Sequence, residues 1–350
     1  MADRILVTGA SGFIGSFIVE HGLEHGYEVW AGVRGTSSRR YLQDERIHFA
    51  QLNLQDPEEL RRQLLACKEE MDGCGWDYVV HAAGATKCLR AEDFFRTNTE
   101  GTRHLIEALR ETGMVPRRFV FLSSLSVFGA CKEKPARTAS KTDKWIYSPI
   151  LNTDRPQPNT AYGRSKLAAE HFLQEQRDFP FTILRPTGVY GPRERDYFLM
   201  VQSIRQHIDV AAGFTPQEIT FVYVDDVVQA VFRSMVSAEA AGRAYFLSDG
   251  EVYSSRSYSD LVQQCLGHPF VLHLKLPLSI LRAVCWVSGR ISRITGKMNA
   301  LNDDKYHILS QRNWQCDIAP AIRDFGYKPE WKLPRGVAES IKWYKEEGWL

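Results

Sequence analysis

The stretch RILVTGASGFIGS, residues 4–16, decides the fold. Ile5, Leu6 and Val7 form a short apolar run of the kind that makes a buried strand. The run breaks at Gly9, and glycines recur at Gly12 and Gly15 before a helical pattern begins in GSFIVEHGLEHG, residues 15–26. Glycines at this spacing permit a tight turn and let backbone approach a diphosphate closely. The helix N-terminus then stabilises the anion through its free N–H groups and dipole. Gly9, Ser11, Gly12, Phe13, Ile14 and Gly15 are therefore candidates for a dinucleotide site.

Working outward, the same alternation continues. YEVWAGV (27–33), IHFAQLNL (47–54), YVVHAAG (78–84), RFVFLSSLSVF (118–128) and FTILRPTGVY (181–190) read as strands. DPEELRRQLLACKEE, TEGTRHLIEALRETG and AYGRSKLAAEHFLQEQ read as the helices between them. Such alternation, with near-continuous apolar strands, predicts an α/β fold: a doubly wound parallel sheet (Rossmann) with helices on both faces. Residues 1–188 form the dinucleotide-binding domain in this reading, and 189–350 are mainly a smaller C-terminal substrate lobe. The segment 219–236 (ITFVYVDDVVQAVFRSM and its flank) is expected to return one strand and one helix to the main sheet. Residues 131–158 are long for a loop and are expected to be a functional flap or mobile segment.

Composition narrows the function classes. The 350-residue chain has 44% apolar and 25% charged residues, as an ordinary globular protein does. Its net charge of +2 gives no general attraction to nucleic acid, which is dropped as a partner. The start, MADRILVTG, lacks the zones of a secretory signal, so a cytoplasmic location is expected. The seven cysteines are scattered without a C-x-x-C pair, which points to reduced packing residues and neither a disulfide framework nor a zinc site. No metal is expected. His81 reads as a strand histidine, with no second ligand at metal spacing.

Two further positions bear on chemistry. If the second strand fed a ribose with a free 2′-hydroxyl, an acid should stand about 20 residues beyond the glycines. The sequence there is AGVRGTSSRR, with Arg34 in that region and Arg39 and Arg40 behind it. Arginine's planar, always-charged fork suits a phosphate, so NADP(H) is favoured over NAD(H). TAYGRSK, 160–166, puts Tyr162 and Lys166 four apart on one helical face. With 14 tyrosines in the chain, such a pair gains meaning only from its context.

That context is a resemblance. The glycine pattern, HAAGAT (81–86), RTNTEGTRHLIEA (96–108), FLSSLSVFG (121–129), Tyr162–Lys166 and LRPTGVYGP (184–192) together resemble the extended short-chain dehydrogenases/reductases. This is the NAD-dependent epimerase/dehydratase family, including its dihydroflavonol reductase and 3β-hydroxysteroid dehydrogenase-like branch. The likeness spans nearly the whole chain, through FVYVDDVVQA (221–230) to the closing helix. It implies that Tyr162 is the acid/base, Lys166 its partner, Ser124 the residue that orients the substrate oxygen, and Asn98 a support for a proton relay or local backbone. A nearby ammonium is expected to lower the phenol's pKa toward working pH. The dinucleotide is assigned, beyond the glycine turn, to Arg34, Arg39, Asn53, Leu54, Ala82, Ala83, Gly84, Tyr162, Lys166, Pro186 and Thr187. Arg185 and Pro186 are expected to shape the strand end beneath the nicotinamide. A homodimer built on the helix of Tyr162 is also implied.

Sugar dehydratases of this family carry an Asp-Glu pair just after the Ser/Thr, and here Leu125 and Ser126 stand in that place. The expected activity is an NADP(H)-preferring oxidoreductase that interconverts a ketone and a secondary alcohol. Its small-molecule substrate is expected to be apolar, such as a keto-sphingoid base, a ceramide or a steroid-like ketone. Thr86, Leu125, Ser126, Val189 and the 193–218 loop are the candidate substrate contacts. The alternatives are a nucleotide-sugar epimerase or reductase, and a non-catalytic dinucleotide-binding sensor or scaffold. Asp225 and Asp226 are expected to cap a helix. In 276–297, Arg282, Arg290, Arg293 and Lys297 share one arc of a helical wheel beside a broad apolar surface, which makes this stretch a candidate for peripheral membrane contact. A lobe helix with a solvated basic edge is the competing reading.

Overall fold

A computed structural model describes residues 2–135, 147–296 and 301–350. Lys297 and the 136–146 part of the expected flap lie outside the described residues.

The first half alternates strands β1 (Arg4–Thr8), β2 (Glu28–Val33), β3 (His48–Gln51), β4 (Tyr78–His81), β5 (Arg118–Leu122) and β6 (Phe181–Pro186) with helices α1 (Phe13–Glu24), α2 (Pro57–Glu70), α3 (Ala91–Phe94), α4 (Gly101–Glu111) and α5 (Ala161–Glu175). Beyond these come β7 (Gly188–Tyr190), α6 (Arg195–Arg205), β8 (Ile208–Ala212), β9 (Glu218–Ile219), β10 (Phe221–Tyr223), α7 (Val224–Val236), β11 (Arg243–Leu247), β12 (Tyr253–Ser254), α8 (Ser257–Cys265), β13 (Leu272–Leu276), α9 (Leu278–Thr295), α10 (Asp303–Ser310), α11 (Ala319–Phe325) and α12 (Leu333–Glu346).

Seven parallel strands form the central sheet in the order β11-β6-β5-β4-β1-β2-β3. Alternate side chains of each strand supply two cores. Ile5 and Val7 face Ile18 and the α7 residues Val227 and Val231, while Leu6 faces Leu60, Leu105, Ile106 and Ala169. The strand order reverses between β1 and β4, and a crevice opens there above the strands' carboxyl ends. Gly9 turns at φ +69° in that crevice, and a Cβ on it would lie 2.6 Å from Ala83 N. A Cβ on Gly15 would lie 2.2 Å from Gly9 O, so both close approaches demand glycine.

Three expectations need correction. The stretch around 219–223 does not enter the main sheet. β11 already occupies the outer edge of β6, so Phe221–Tyr223 pairs with Gly188–Tyr190 of β7 in a separate ribbon. Its helix α7 does pack on the sheet beside α1. Asp225 and Asp226 do not cap α7, whose N-cap is Tyr223 without a side-chain bond. The Asp226 carboxylate instead accepts from Glu330 N (2.8 Å) and Trp331 N (3.1 Å), tethering the chain that leads into α12, and burial pushes its pKa up to about 6. The 147–150 part of the expected flap is anchored: Tyr147 is buried, its N–H donates to Glu218 Oε2 (3.0 Å), and Ile150 bridges to Cys316.

Helix α5 is fastened to β6 by a buried ion pair. Arg185 Nε donates to Glu170 Oε1 at 3.0 Å, its Nη2 to Oε2 at 2.5 Å, and its Nη1 to Asn152 Oδ1 at 2.9 Å. Removing one buried charge strands the other, so Glu170→Leu should cost about 3 kcal/mol or more. Glu170→Leu/Arg185→Met should recover most of that loss, because no charge then remains without a partner. Urea unfolding of the two variants measures the difference; a double variant as unstable as the single would contradict it.

Candidate active site

The site forms where β5 ends and α5 begins. Ser124 is extended and caps a 3₁₀ turn, Leu125–Val127, its Oγ accepting from Ser126 N at 3.1 Å. Thr160 caps α5 through a bond from Gly163 N (2.9 Å), a local signal typical of helix starts. Asp304, from α10, accepts from both Ala161 N (2.9 Å) and Tyr162 N (3.1 Å). Nothing in the sequence marks Asp304, because its partners lie more than a hundred residues away.

Tyr162 and Lys166 follow on successive turns. The Lys166 ammonium is buried, donates to Leu122 O at 2.8 Å and lies 4.7 Å from the Phe121 ring centroid. Burial pushes its pKa down to about 8, with Glu170 pulling the other way. Tyr162 is half-buried, and desolvation pushes its phenol up to about 12 although a hydrogen bond with Ser124 opposes this. The expected lowering by Lys166 is therefore not found: the ammonium is aimed at Leu122 O, and desolvation of the phenol dominates.

Asn98 sits in a π-helical turn, Phe95–Glu100, of a kind frequent at functional sites. Its Oδ1 accepts from Ala85 N (2.7 Å), and its Nδ2 donates to Ala85 O (3.0 Å) and Ser165 Oγ (2.9 Å). Ser165 Oγ in turn donates to Tyr162 O (2.8 Å). Behind this turn, His81 is buried between Thr8 Oγ1 (2.7 Å) and Thr102 Oγ1 (2.9 Å), and burial pushes its pKa down to about 3. Thr102's hydroxyl already donates to Asn98 O, so His81 Nε2 carries the proton and Nδ1 accepts. The neutral ring thus braces the π turn; the sequence reading missed this network.

The residues present fit a dinucleotide. No side chain caps the first turn of α1 and no acid lies within it, which leaves that helix end to an anion. Ala82, Ala83 and Gly84 follow β4 along the crevice, and a Cβ on Gly84 would lie 3.1 Å from both Lys166 Nζ and Asn98 Oδ1. Asn53 and Leu54 follow β3, with Asn53 N bound to Gln63 Oε1 (2.7 Å). Pro186 ends β6, and Thr187 Oγ1 donates to Thr220 O (2.9 Å). Arg34 is exposed at the end of β2, Arg39 stacks 4.0 Å over Phe49, and Arg40 pairs with Glu347 at 2.9 Å.

Of the candidate substrate contacts, Thr86 is exposed on the rim, Ser126 accepts a hydrogen bond from Ser124 (3.1 Å), and Val189 is half-buried in β7. Leu125 needs correction. It is 1% exposed and packs with Val127, Phe128, Ile150 and Phe246, which leaves no surface for a substrate. A cleft beside α5, not foreseen from the sequence, is lined by Lys87, Arg90, Phe94, Arg164, Ser292 and Arg293.

Fold and site together define an NAD(P)-dependent enzyme of the extended short-chain dehydrogenase/reductase type. Residues 5–247 match the family model of the NAD dependent epimerase/dehydratase family, and the chain belongs to that family. Sterol demethylase protein B of Methylococcus capsulatus is 25% identical over 353 residues, covering 99% of both chains. The dTDP-D-glucose 4,6-dehydratase of Mus musculus is 25% identical over 365 residues, covering 99% of this chain and 89% of its own. Among solved structures, the dTDP-glucose 4,6-dehydratase DesIV of Streptomyces venezuelae, with NAD bound, superposes with a TM-score of 0.75 at 22% identity, covering 99% and 98% of the two chains.

The buried ammonium has a thermodynamic consequence. Its pKa in the fold, about 8, is below the 10.5 of an exposed lysine, so between these values the unfolded chain holds the proton more tightly and stability rises with pH. Lys166→Met removes that cost but leaves Leu122 O without its donor. A net gain of roughly 1–2 kcal/mol at pH 7 is expected. The gain should shrink as pH climbs from about 8 toward 10.5. Thermal unfolding across this range tests it; a variant less stable at pH 7 would show that the hydrogen bond outweighs the desolvation.

Proposed function

We propose that this protein is a cytoplasmic, NADP(H)-preferring oxidoreductase that interconverts a ketone and a secondary alcohol on an apolar substrate. A 3-oxo lipid, such as a keto-sphingoid base or ceramide, or a steroid-like ketone, is the substrate class. The observation that carries the reading is the convergence of Ser124, Tyr162 and Lys166 at the end of β5, with no carboxylate at 125 or 126 to serve dehydration. Exposed Arg34, in place of a ribose-binding acid, supports NADP(H). The likeness over nearly the full chain to a protein named for sterol demethylation supports an apolar substrate held by the 189–350 lobe.

When bound, the nicotinamide supplies or accepts hydride. Ser124 Oγ holds the substrate oxygen, and Tyr162 moves the proton to or from it. A phenol at about 12 is protonated at neutral pH, which equips Tyr162 to donate to an emerging alkoxide in reduction. Lys166 holds the ribose, Asn98 keeps the turn beneath the site in shape, and the first turn of α1 receives the diphosphate.

In the cleft beside α5, Arg90, Arg164 and Arg293 outnumber Asp303 and Asp304, and Lys87 is paired with Asp196; this balance favours a second reading, a nucleotide-sugar epimerase or reductase whose diphosphate the arginines would meet. That reading predicts NAD retained through purification and saturable binding of UDP- or dTDP-sugars.

Fluorescence titration should show NADPH bound more tightly than NADH, with Arg34→Asp losing at least roughly tenfold of that preference. Equal affinity, or a preference indifferent to Arg34, would overturn the cofactor assignment. Tyr162→Phe should lower turnover on a ketone panel by roughly 10²–10⁴-fold while cofactor affinity is kept. Unchanged turnover would remove Tyr162 from the chemistry.

A further inference from the structure

Helix α9 presents three distinct faces. Leu281, Cys285 and Ser292 are buried against the protein. Ile280, Val284, Val287, Ile291 and Ile294, spaced by fours and threes, lie on one helical stripe, and every one is exposed, from 42% at Val284 to 85% at Ile294. Arg290 is exposed at the edge of that stripe, with Trp286, itself 54% exposed, beneath its guanidinium at 5.2 Å, and Arg282 and Arg293 are exposed further round the same side of the helix.

The surroundings carry the same signature. β13 runs through Pro277 straight into α9, and its Leu272 and Leu274 are exposed, as is Phe270 just before it. From Leu261 to Asn302 the chain has no Asp or Glu, although it carries 42 elsewhere. α9 itself is therefore positive beside an aliphatic stripe, with Asp303 of α10, close enough to act on Cys285, as a neighbouring acid. A second copy of the chain is a poor occupant, since apposed α9 helices would bring arginine against arginine with no acid on either. Among the described residues no helix is long and apolar enough to cross a membrane, so α9 fits a surface and not a span.

We propose that α9 docks in the plane of an anionic lipid surface, with its aliphatic stripe among the acyl chains and its arginines at the headgroups. The position deepens the apolar-substrate reading and rests on it only for its purpose. Ser292 and Arg293 of α9 line the cleft beside Ala161 and Arg164 of α5 on the side of the helix turned away from the stripe, so docking would hold that cleft one helix diameter, roughly 10 Å, from the lipid.

Flotation of the purified full-length protein with vesicles of phosphatidylcholine, alone or with an equal share of phosphatidylglycerol, tests the proposal without substrate or turnover. Its failure is thus separable from failure of the enzymatic reading. Binding should require phosphatidylglycerol and weaken with added salt. Arg282→Glu/Arg290→Glu should reduce partitioning at least roughly tenfold. Val287→Asp/Ile291→Asp should abolish it, while NADPH binding by both variants, read by fluorescence, reports that they are folded. Absence of binding to either vesicle at low salt would overturn the proposal. So would binding indifferent to these substitutions, or a solution dimer that Val287→Asp/Ile291→Asp makes monomeric without vesicle binding.

Discussion

Two buried cations, pointing in opposite directions, fix α5 to the sheet. Lys166 reaches from the helix to the last carbonyl of β5, and Arg185 reaches from β6 to Glu170, one turn further along the helix. Desolvating these groups is costly, and apolar side chains of similar volume would hold two elements together as well or better. What the polar contacts add is direction. Each is satisfied in one geometry only, so the helix can neither slide nor rotate without stranding a charge. Tyr162 inherits that fixed position, and so does its contact with Ser124.

The same desolvation sets the electrostatics. Lys166 sits at about 8 and Tyr162 at about 12, each pushed toward its neutral form by the absence of water. At neutral pH the ammonium therefore remains charged and the phenol protonated. A phenol in this state holds its proton more tightly than a free tyrosine does. One of the three Lys166 N–H groups donates to Leu122 O, and burial, not pairing with Lys166, dominates the phenol.

The elements whose order follows from local pattern were legible in the sequence: the glycine turn, the six strands from β1 to β6, and the i, i+4 relation of Tyr162 to Lys166. Long-range competition was not. Arg243–Leu247 is a short strand that wins the outer edge of β6, and this leaves Phe221–Tyr223 to pair elsewhere, although the latter is the more uniformly apolar stretch. Asp225 and Asp226 stand in the first turn of α7, yet Asp226 turns to the backbone of 330–331, a hundred residues on, for its donors. Leu125 adjoins Ser124 in sequence but faces the other way, because the 3₁₀ turn rotates successive side chains by about a third of a circle. His81 read correctly as a strand histidine, but its threonine partners come from β1 and α4 and left no mark nearby.

The C-terminal lobe meets the candidate site through one carboxylate. Asp304 accepts from the first two N–H groups of α5, a contact of the kind worth about 1 kcal/mol at a helix start. That is small against the fold but falls on the backbone of Tyr162 itself. α10, which carries Asp304, packs on α9. A force on the exposed side of α9 is therefore separated from the phenol by two packed helices and one pair of hydrogen bonds. Lys166 and Glu170 tie α5 to the sheet through Leu122 O and Arg185, whereas the cap on Tyr162 comes from the lobe. Asp304 is thus the point at which the lobe meets the backbone of Tyr162, while the crevice between β1 and β4 lies on the sheet side.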